Sequence, residues 1–160
     1  MYSEEEAKNS NKGWFRGCFN ICYYQNARKR KTGGFYYTLA FAVTFQYKND
    51  NVYFAHSYPY AYTDLCKYLT TLENDPKKKD RLKRRVLCQT IAGNNYEMLI
   101  ITNYNNDQES FKARKGIVIT GRVHPGETAA SFMIQGLIDF LVGPTLNAKL
   151  LRDNFVIKVF

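Results

Sequence analysis

The sequence predicts an α/β fold preceded by a β-rich segment, and three observations support this prediction. Residues 35–46 are rich in Thr, Val, Tyr and Phe, which is the composition of β-strands. Residues 116–122 and 155–160 are predicted strands, and the apolar helical segment 129–142 lies between them. A helix that connects two strands in this way is typical of an α/β sheet.

The β-rich part of the chain contains a second predicted strand at residues 52–57. The sequence Lys-Asn-Asp-Asn at 48–51 separates it from the strand at 35–46 and predicts a hairpin turn. Pro59 then interrupts the pattern. We therefore expect these two segments to pair as neighbouring strands.

Two longer helices follow from the spacing of apolar residues. Residues 62–72 form the first, with four apolar side chains on one face: Leu65, Tyr68, Leu69 and Leu72. The second, residues 129–142, is apolar on nearly all sides, so we expect it to be buried between layers. Gly143 and Pro144 end this helix.

The remaining segments complete the predicted domain. Residues 86–92 and 97–103 form a second hairpin across the Gly-Asn-Asn turn at 93–95. Residues 103–115 are polar and predict a loop. Residues 147–152 predict a short helical turn before the last strand.

The most informative stretch begins where the strand 116–122 ends. His124 is followed by a Pro-Gly turn and then by Glu127, at the start of the helix. Zinc takes imidazole and carboxylate ligands, and three protein ligands with one open position make a catalytic zinc site. The spacing therefore indicates two zinc ligands, His124 and Glu127. The alternative is that His124 caps a loop and Glu127 favours the positive end of the helix, and spacing alone leaves both open.

The wider segment 121–128, Gly-Arg-Val-His-Pro-Gly-Glu-Thr, resembles the zinc-binding segment of the cytosolic carboxypeptidases, within the zinc carboxypeptidase superfamily. Four other segments resemble that family in its order and approximate spacing. They are Phe-Tyr-Tyr-Thr-Leu at 35–39, Val-Tyr-Phe-Ala-His-Ser-Tyr-Pro-Tyr-Ala-Tyr-Thr at 52–63, Arg-Val-Leu-Cys-Gln-Thr at 85–90 and Leu-Leu-Arg-Asp-Asn-Phe at 150–155. The resemblance covers about residues 12–160.

The resemblance implies that His124 and Glu127 are zinc ligands and that the sheet is mixed. It also implies that the third zinc ligand, the substrate-binding residues, the active-site tyrosine and the glutamate that acts as general base lie downstream of Phe160. We therefore assign no catalytic residue within the chain. His56 is the only other histidine and stands where the family has no zinc ligand, so we expect a structural or surface role for it.

The resemblance further implies that the chain is a piece of a longer protein. Residues 1–60 would be the C-terminal portion of a β-rich, sandwich-like N-terminal domain. Residues 61–160 would be the N-terminal portion of the carboxypeptidase catalytic domain. The last strand, 155–160, ends without a turn or a cover, which predicts an exposed pairing edge.

The formal net charge of +9 is concentrated in two basic runs. The first basic run is Arg-Lys-Arg-Lys at residues 28–31, and the second, residues 77–85, has seven basic residues and one acidic residue. No RNA-binding motif accompanies them, so we do not expect nucleic acid as a partner. The resemblance implies acidic, glutamate-rich protein tails as partners, tubulin and microtubules above all. The second basic run would then concentrate such tails, with a solvated loop as the alternative.

Composition indicates a soluble globular chain. A hydrophobic content of 45% with 16% aromatic residues is too apolar for disorder, and no apolar run reaches the roughly 18–20 residues of a membrane span. The N-terminus is acidic where a secretory signal would be basic and then apolar. We therefore expect a cytosolic or nuclear protein. The resemblance implies the cytoplasm, with association to microtubules or cilia.

Four cysteines, Cys18, Cys22, Cys66 and Cys88, are present. The first two have a spacing that a structural zinc knuckle could use, but no second pair completes it. We expect reduced and mostly buried cysteines.

Two functions therefore compete. The first is part of a zinc metallocarboxypeptidase that removes C-terminal or side-chain glutamates from acidic tails such as tubulin. The second is a catalytically inactive product that at most binds metal weakly or binds an acidic partner. Both rely on His124 and Glu127.

Overall fold

The computed structural model describes residues 1–104 and 108–160. Contacts divide the chain into two compact units, Met1–Pro59 and Tyr60–Phe160, which we call unit 1 and unit 2. The assignment of residues 1–60 to a β-rich N-terminal domain stays a prediction.

Unit 1 contains a long hairpin and a small helical segment. Its elements are β1 (Tyr2–Ser3), α1 (Glu4–Ser10), β2 (Cys18–Lys29), β3 (Phe35–Val43) and β4 (Val52–Tyr53). Strands β2 and β3 form an antiparallel pair, and β1 pairs with β4.

The expected hairpin between residues 35–46 and 52–57 is wrong, because β3 pairs with β2 instead. The side chain of Asp50, within the predicted turn, binds the start of α1. It accepts hydrogen bonds from the Ser3 hydroxyl at 2.5 Å and from the Glu5 backbone N–H at 3.1 Å. Asp50 therefore stabilises the start of α1, and β3 pairs with β2, which is much longer than β4.

Unit 2 is an α/β unit. Its elements are α2 (Tyr62–Asn74), β5 (Leu82–Gln89), β6 (Asn95–Ile101), α3 (Gln108–Ala113), β7 (Lys115–Ile119), α4 (Thr128–Leu141), α5 (Leu146–Asn154) and β8 (Phe155–Val159). The sheet has the order β5-β6-β8-β7, in which β7 and β8 are parallel and the other neighbours antiparallel. The predicted mixed sheet is therefore confirmed.

The predicted exposed edge at residues 155–160 is wrong. Strand β8 pairs with β6 on one side and with β7 on the other, so it is an inner strand. The reason is topological, since α4 and α5 form the crossover that returns the chain between two strands made earlier.

The hydrophobic core lies in unit 2, between the sheet and the helices. Its buried residues are Leu69, Leu72, Leu82, Leu99, Ile101, Ile138, Leu141, Val142, Ile157 and Val159. The predicted apolar face of α2 contributes Leu69 and Leu72, with Leu65 and Tyr68 packed beside them.

Helix α4 is not buried on all sides as expected. Ile138 and Leu141 face the core, but Phe132, Met133 and Phe140 are 43%, 74% and 42% exposed. Among the described residues, one face of α4 packs against the core, and side chains on its other faces remain partly exposed to solvent.

The polar segment 103–115 is not only a loop, because it contains the short helix α3 at Gln108–Ala113. This helix has too little apolar periodicity to be visible in the sequence. Residues 105–107 of the predicted loop lie outside the described residues.

The cysteines are less buried than expected. Cys18 and Cys66 are half-buried, Cys22 and Cys88 are exposed, and all four are unpaired. Across residues 1–104 and 108–160, no group of three or more His, Cys, Asp or Glu side chains could hold a metal ion. The spacing of Cys18 and Cys22 therefore does not produce a zinc knuckle, since β2 carries both on an extended strand.

In the part of the chain that the structure describes, no single helix is long and apolar enough to cross a membrane. Helices α4 and α5 taken together, with a 90° bend between them, meet that test of length and composition.

Candidate metal-binding turn

The candidate site is the turn at residues 120–127, between the end of β7 and the start of α4. The Gly121 N–H donates to the Phe160 carbonyl at 3.2 Å, and the Phe160 N–H donates to the Ile119 carbonyl at 3.0 Å. The Glu127 N–H donates to the His124 carbonyl at 3.1 Å. The start of the turn is thus hydrogen-bonded to the end of the chain beside β8. Another hydrogen bond joins the backbones of the two predicted ligands, His124 and Glu127.

His124 and Glu127 are both exposed. Glu127 is the residue that precedes α4, but its side chain makes no capping hydrogen bond to the helix. Within the described residues, neither side chain has a hydrogen-bond or ion-pair partner. Glu127 lies at the N-terminal end of α4, as both the zinc interpretation and its alternative require.

The chemistry of the two side chains suits two of the ligands of a zinc ion. An imidazole nitrogen and a carboxylate oxygen are donors that zinc takes, and both groups reach solvent from one turn. Metal ligation by His124 and Glu127 stays a prediction. His56, the other histidine, lies in unit 1 and is exposed.

Arg122 is a functional candidate that the sequence reasoning missed. Its backbone has a φ of 53°, which is uncommon for a residue other than glycine. Its guanidinium donates to the Pro125 carbonyl at 3.2 Å, the Tyr60 carbonyl at 2.5 Å and the Ser131 hydroxyl at 3.4 Å. Arg122 therefore ties the turn to Tyr60, two residues before α2, and to the first turn of α4. No sequence pattern reveals this role, because its strongest partners are backbone carbonyls.

Gly121 lets the turn pack closely on α4. A Cβ atom at this position would lie 2.4 Å from Cγ1 of Ile134, which is too close for any side chain. The contact is with the branched part of a packed side chain, so a substitution would push the turn away from the helix.

A cavity of about 320 Å³ opens beside the turn within unit 2. Tyr60, Tyr68, Arg122, Ile134 and Phe160 are among the residues that line it. Burial raises the pKa of both tyrosines, and the Tyr68 hydroxyl donates to the Gln135 carbonyl at 3.1 Å. Both phenols therefore stay protonated at neutral pH and do not serve as bases.

Comparison with known proteins identifies the family. A sequence profile of zinc carboxypeptidases matches residues 65–160, and the chain belongs to the zinc carboxypeptidase family. It is similar to cytosolic carboxypeptidase 3 of Bos taurus, with 44% identity over 159 residues, and to cytosolic carboxypeptidase 2 of Homo sapiens, with 40%. These alignments cover 99% of the chain but only 16% and 18% of the two relatives, so the chain spans a small part of their length.

The fold agrees with this assignment. The crystal structure of a metallo-carboxypeptidase from Burkholderia cenocepacia matches with a TM-score of 0.53 and 22% identity, over 63% of this chain and 26% of that one. This likeness concerns the fold alone. The resemblance to cytosolic carboxypeptidases that the sequence predicted is confirmed, as is the α/β architecture.

Proposed function

We propose that this chain is part of a cytoplasmic zinc metallocarboxypeptidase and supplies two of its metal ligands, His124 and Glu127. The observation that carries the proposal is the turn itself. Two donors that zinc takes are exposed on a hydrogen-bonded turn, in a chain that belongs to the zinc carboxypeptidase family. The proposed substrates are proteins with glutamate-rich tails, such as tubulin, from which C-terminal or side-chain glutamates would be removed.

Zinc, when bound, polarises the scissile carbonyl and lowers the pKa of a bound water. His124 and Glu127 would hold the metal, and the surrounding residues would orient them. Arg122 fixes the turn that carries both ligands, and Gly121 lets that turn approach α4. The third ligand would come from outside the described residues, because these contain no group of three or more His, Cys, Asp or Glu side chains that could hold a metal ion. The family resemblance implies the same for the general base.

Acidic substrates and a cytoplasmic location are supported by charge and by relatives. The chain carries a formal net charge of +9, which raises the local concentration of anionic peptides. The two relatives described above are named cytosolic carboxypeptidases. Association with microtubules or cilia follows only if tubulin is the substrate.

Zinc binding to the 160-residue chain, measured by competition with a coloured chelator, tests the proposal. We expect weak binding that falls about tenfold or more in His124→Ala and in Glu127→Ala, because each removes one of two ligands. His56→Ala is the matched control, since it removes an exposed histidine from unit 1, and it should leave zinc binding unchanged. Equal zinc affinity in the parent chain and His124→Ala would exclude the turn as a metal site.

Activity provides the second measurement. In an active enzyme that contains this segment, His124→Ala and Glu127→Ala should abolish glutamate release from a polyglutamylated tubulin peptide, and His56→Ala should not. The 160-residue chain alone should release no glutamate. An inactive binding role, the other candidate, is favoured by the lack of a complete metal-binding group within the described residues. It would be supported if the longer enzyme were also inactive.

A further inference from the structure

The first basic run lies at the tip of the hairpin formed by β2 and β3. Arg28 and Lys29 end β2, and Arg30 and Lys31 follow in the turn. All four side chains are exposed, and residues 7–49 contain no aspartate or glutamate. The tip is therefore a local concentration of positive charge with no acidic residue near it in the sequence.

The backbone of the tip is held in one conformation. The Arg28 N–H donates to the Asn26 side-chain carbonyl at 2.8 Å, and the Arg30 N–H donates to the Gly34 carbonyl at 2.9 Å. The Gly33 N–H donates back to the Arg30 carbonyl at 3.2 Å. Gly33 and Gly34 have φ values of 92° and 74°, which glycine adopts without strain. The four charges are thus presented by a structured turn.

The side chains of Arg28 and Arg30 are positioned by contact with an aromatic ring. The guanidinium carbons of Arg28 and Arg30 lie 5.4 Å and 5.5 Å from the centre of the Tyr36 ring. Such cation–π contacts leave the N–H edges of a guanidinium available to acceptors. They also engage the face of Tyr36, on which a nucleic-acid base would otherwise stack. The arrangement therefore favours carboxylates over bases.

The charges at the tip are not neutralised by any of the described residues. Among the described residues, none of the four basic side chains at 28–31 forms an ion pair. The second basic run is different, since Arg84 pairs with Glu97 and Glu73 and Lys78 pairs with Asp139. Only the first run keeps all its charges available to a partner.

We propose that the hairpin tip, residues 28–31 with Tyr36, is a docking surface for an acidic, glutamate-rich peptide segment. Carboxylates on such a segment complement the four uncompensated charges, and the arginines offer paired donors that match a carboxylate. The proposal rests on the proposed function for the source of the peptide. Docking itself requires neither metal nor catalysis, so the two can fail separately.

Binding of a fluorescein-labelled oligo-glutamate peptide to the 160-residue chain, measured by anisotropy at low ionic strength, tests this surface. The variant Arg28→Gln/Lys29→Gln/Arg30→Gln/Lys31→Gln removes the tip charges. The matched control, Lys77→Gln/Lys79→Gln/Lys83→Gln/Arg85→Gln, removes the same number of charges from exposed positions of the second run. We expect Kd to rise about tenfold or more in the tip variant and about threefold or less in the control.

Two further measurements identify the cause. The difference between the variants should shrink as salt rises from about 0.01 M to 0.5 M, because screening removes the attraction of exposed charges. The variant Arg28→Lys/Arg30→Lys keeps the charge and should retain most of the affinity.

Three results would overturn the assignment. One is an equal loss of affinity in the tip variant and in its control, which would make net charge the only cause. Another is unchanged peptide affinity in the tip variant. The third is a loss of affinity for a single-stranded RNA of the same length without any loss for oligo-glutamate, which would assign the tip to nucleic acid.

Discussion

The two basic runs have similar compositions and different surroundings. The first basic run, residues 28–31, lies in unit 1 on an exposed hairpin tip, where the guanidinium groups of Arg28 and Arg30 lie against the Tyr36 ring. The second, residues 77–85, continues from a 3₁₀ turn into β5, an edge strand of the sheet, and part of it is tied into unit 2. The number of basic residues in a run therefore does not give the charge that a partner encounters.

Among the described residues, the side chains of Lys78, Arg81 and Arg84 in the second run form hydrogen bonds or ion pairs with other elements of unit 2. Arg84 donates to both carboxylate oxygens of Glu97, at 2.9 Å and 2.7 Å, and the hydrogen bonds to Glu97 raise the pKa of its guanidinium. Arg81 donates to the Val142 carbonyl at 2.6 Å, and Lys78 pairs with Asp139 at 3.3 Å. The exposed basic residues of the run are Lys77, Lys79, Lys83 and Arg85.

The largest expected effect is on the pair between Arg84 and Glu97. The Glu97 side chain is 4% exposed and that of Arg84 19%, so Glu97→Ala leaves a mostly buried guanidinium without its main partner. We expect a loss of about 2–3 kcal/mol in the free energy of unfolding of unit 2, measured by urea denaturation. The control Arg30→Gln, at the hairpin tip, should leave that transition unchanged. A loss no larger than that of the control would mean that the two runs do not differ in their contribution to stability.

An intermediate effect is expected for Arg81→Gln. The change removes the hydrogen bond to the Val142 carbonyl, which lies at the end of α4 beside the core. We expect unit 2 to lose about 1 kcal/mol, the usual net contribution of one hydrogen bond, in the same denaturation experiment. Lys79→Gln, two residues away and exposed, is the control. If both substitutions gave the same result, the bond to Val142 would have no measurable role.

The smallest effect is expected for the exposed lysines of the second run. Lys77→Gln/Lys79→Gln should change the free energy of unfolding by no more than about 0.5 kcal/mol, because both side chains lie on the surface. The change should also respond to salt, whereas the loss in Glu97→Ala should be nearly independent of it. A salt-independent loss above about 1 kcal/mol in the lysine variant would show that these residues, too, are tied into the unit.

The sequence correctly predicted the helices and strands whose spacing of apolar residues is sufficient to define them. Helix α2 follows from its apolar face, and the strands on either side of α4 were correctly assigned to one sheet. The pairing of β3 was missed because alternating aromatic residues suit many partners. Strand β2 has an Asn20 with a φ of 51° and shifts in register, which weaken its strand pattern.

The candidate site was predicted only in part, for a similar reason. His124 and Glu127 have side chains of the types that bind zinc, so spacing and resemblance were enough to predict them as ligands. Arg122 acts mainly through backbone carbonyls that are 3 and 62 residues away in the chain. Backbone carbonyls occur at every position, so no pattern of residue types marks such a contact.

The position of β8 has a consequence for the order in which the protein can fold during synthesis. Its two neighbours, β6 and β7, are made first but are joined only when residues 155–159 insert between them. Until then both strands present unpaired backbone edges, which are prone to pair with other chains. The joining of β6 to β7 therefore requires residues 155–159, and a nascent chain that stops before residue 155 would expose these backbone edges to other chains.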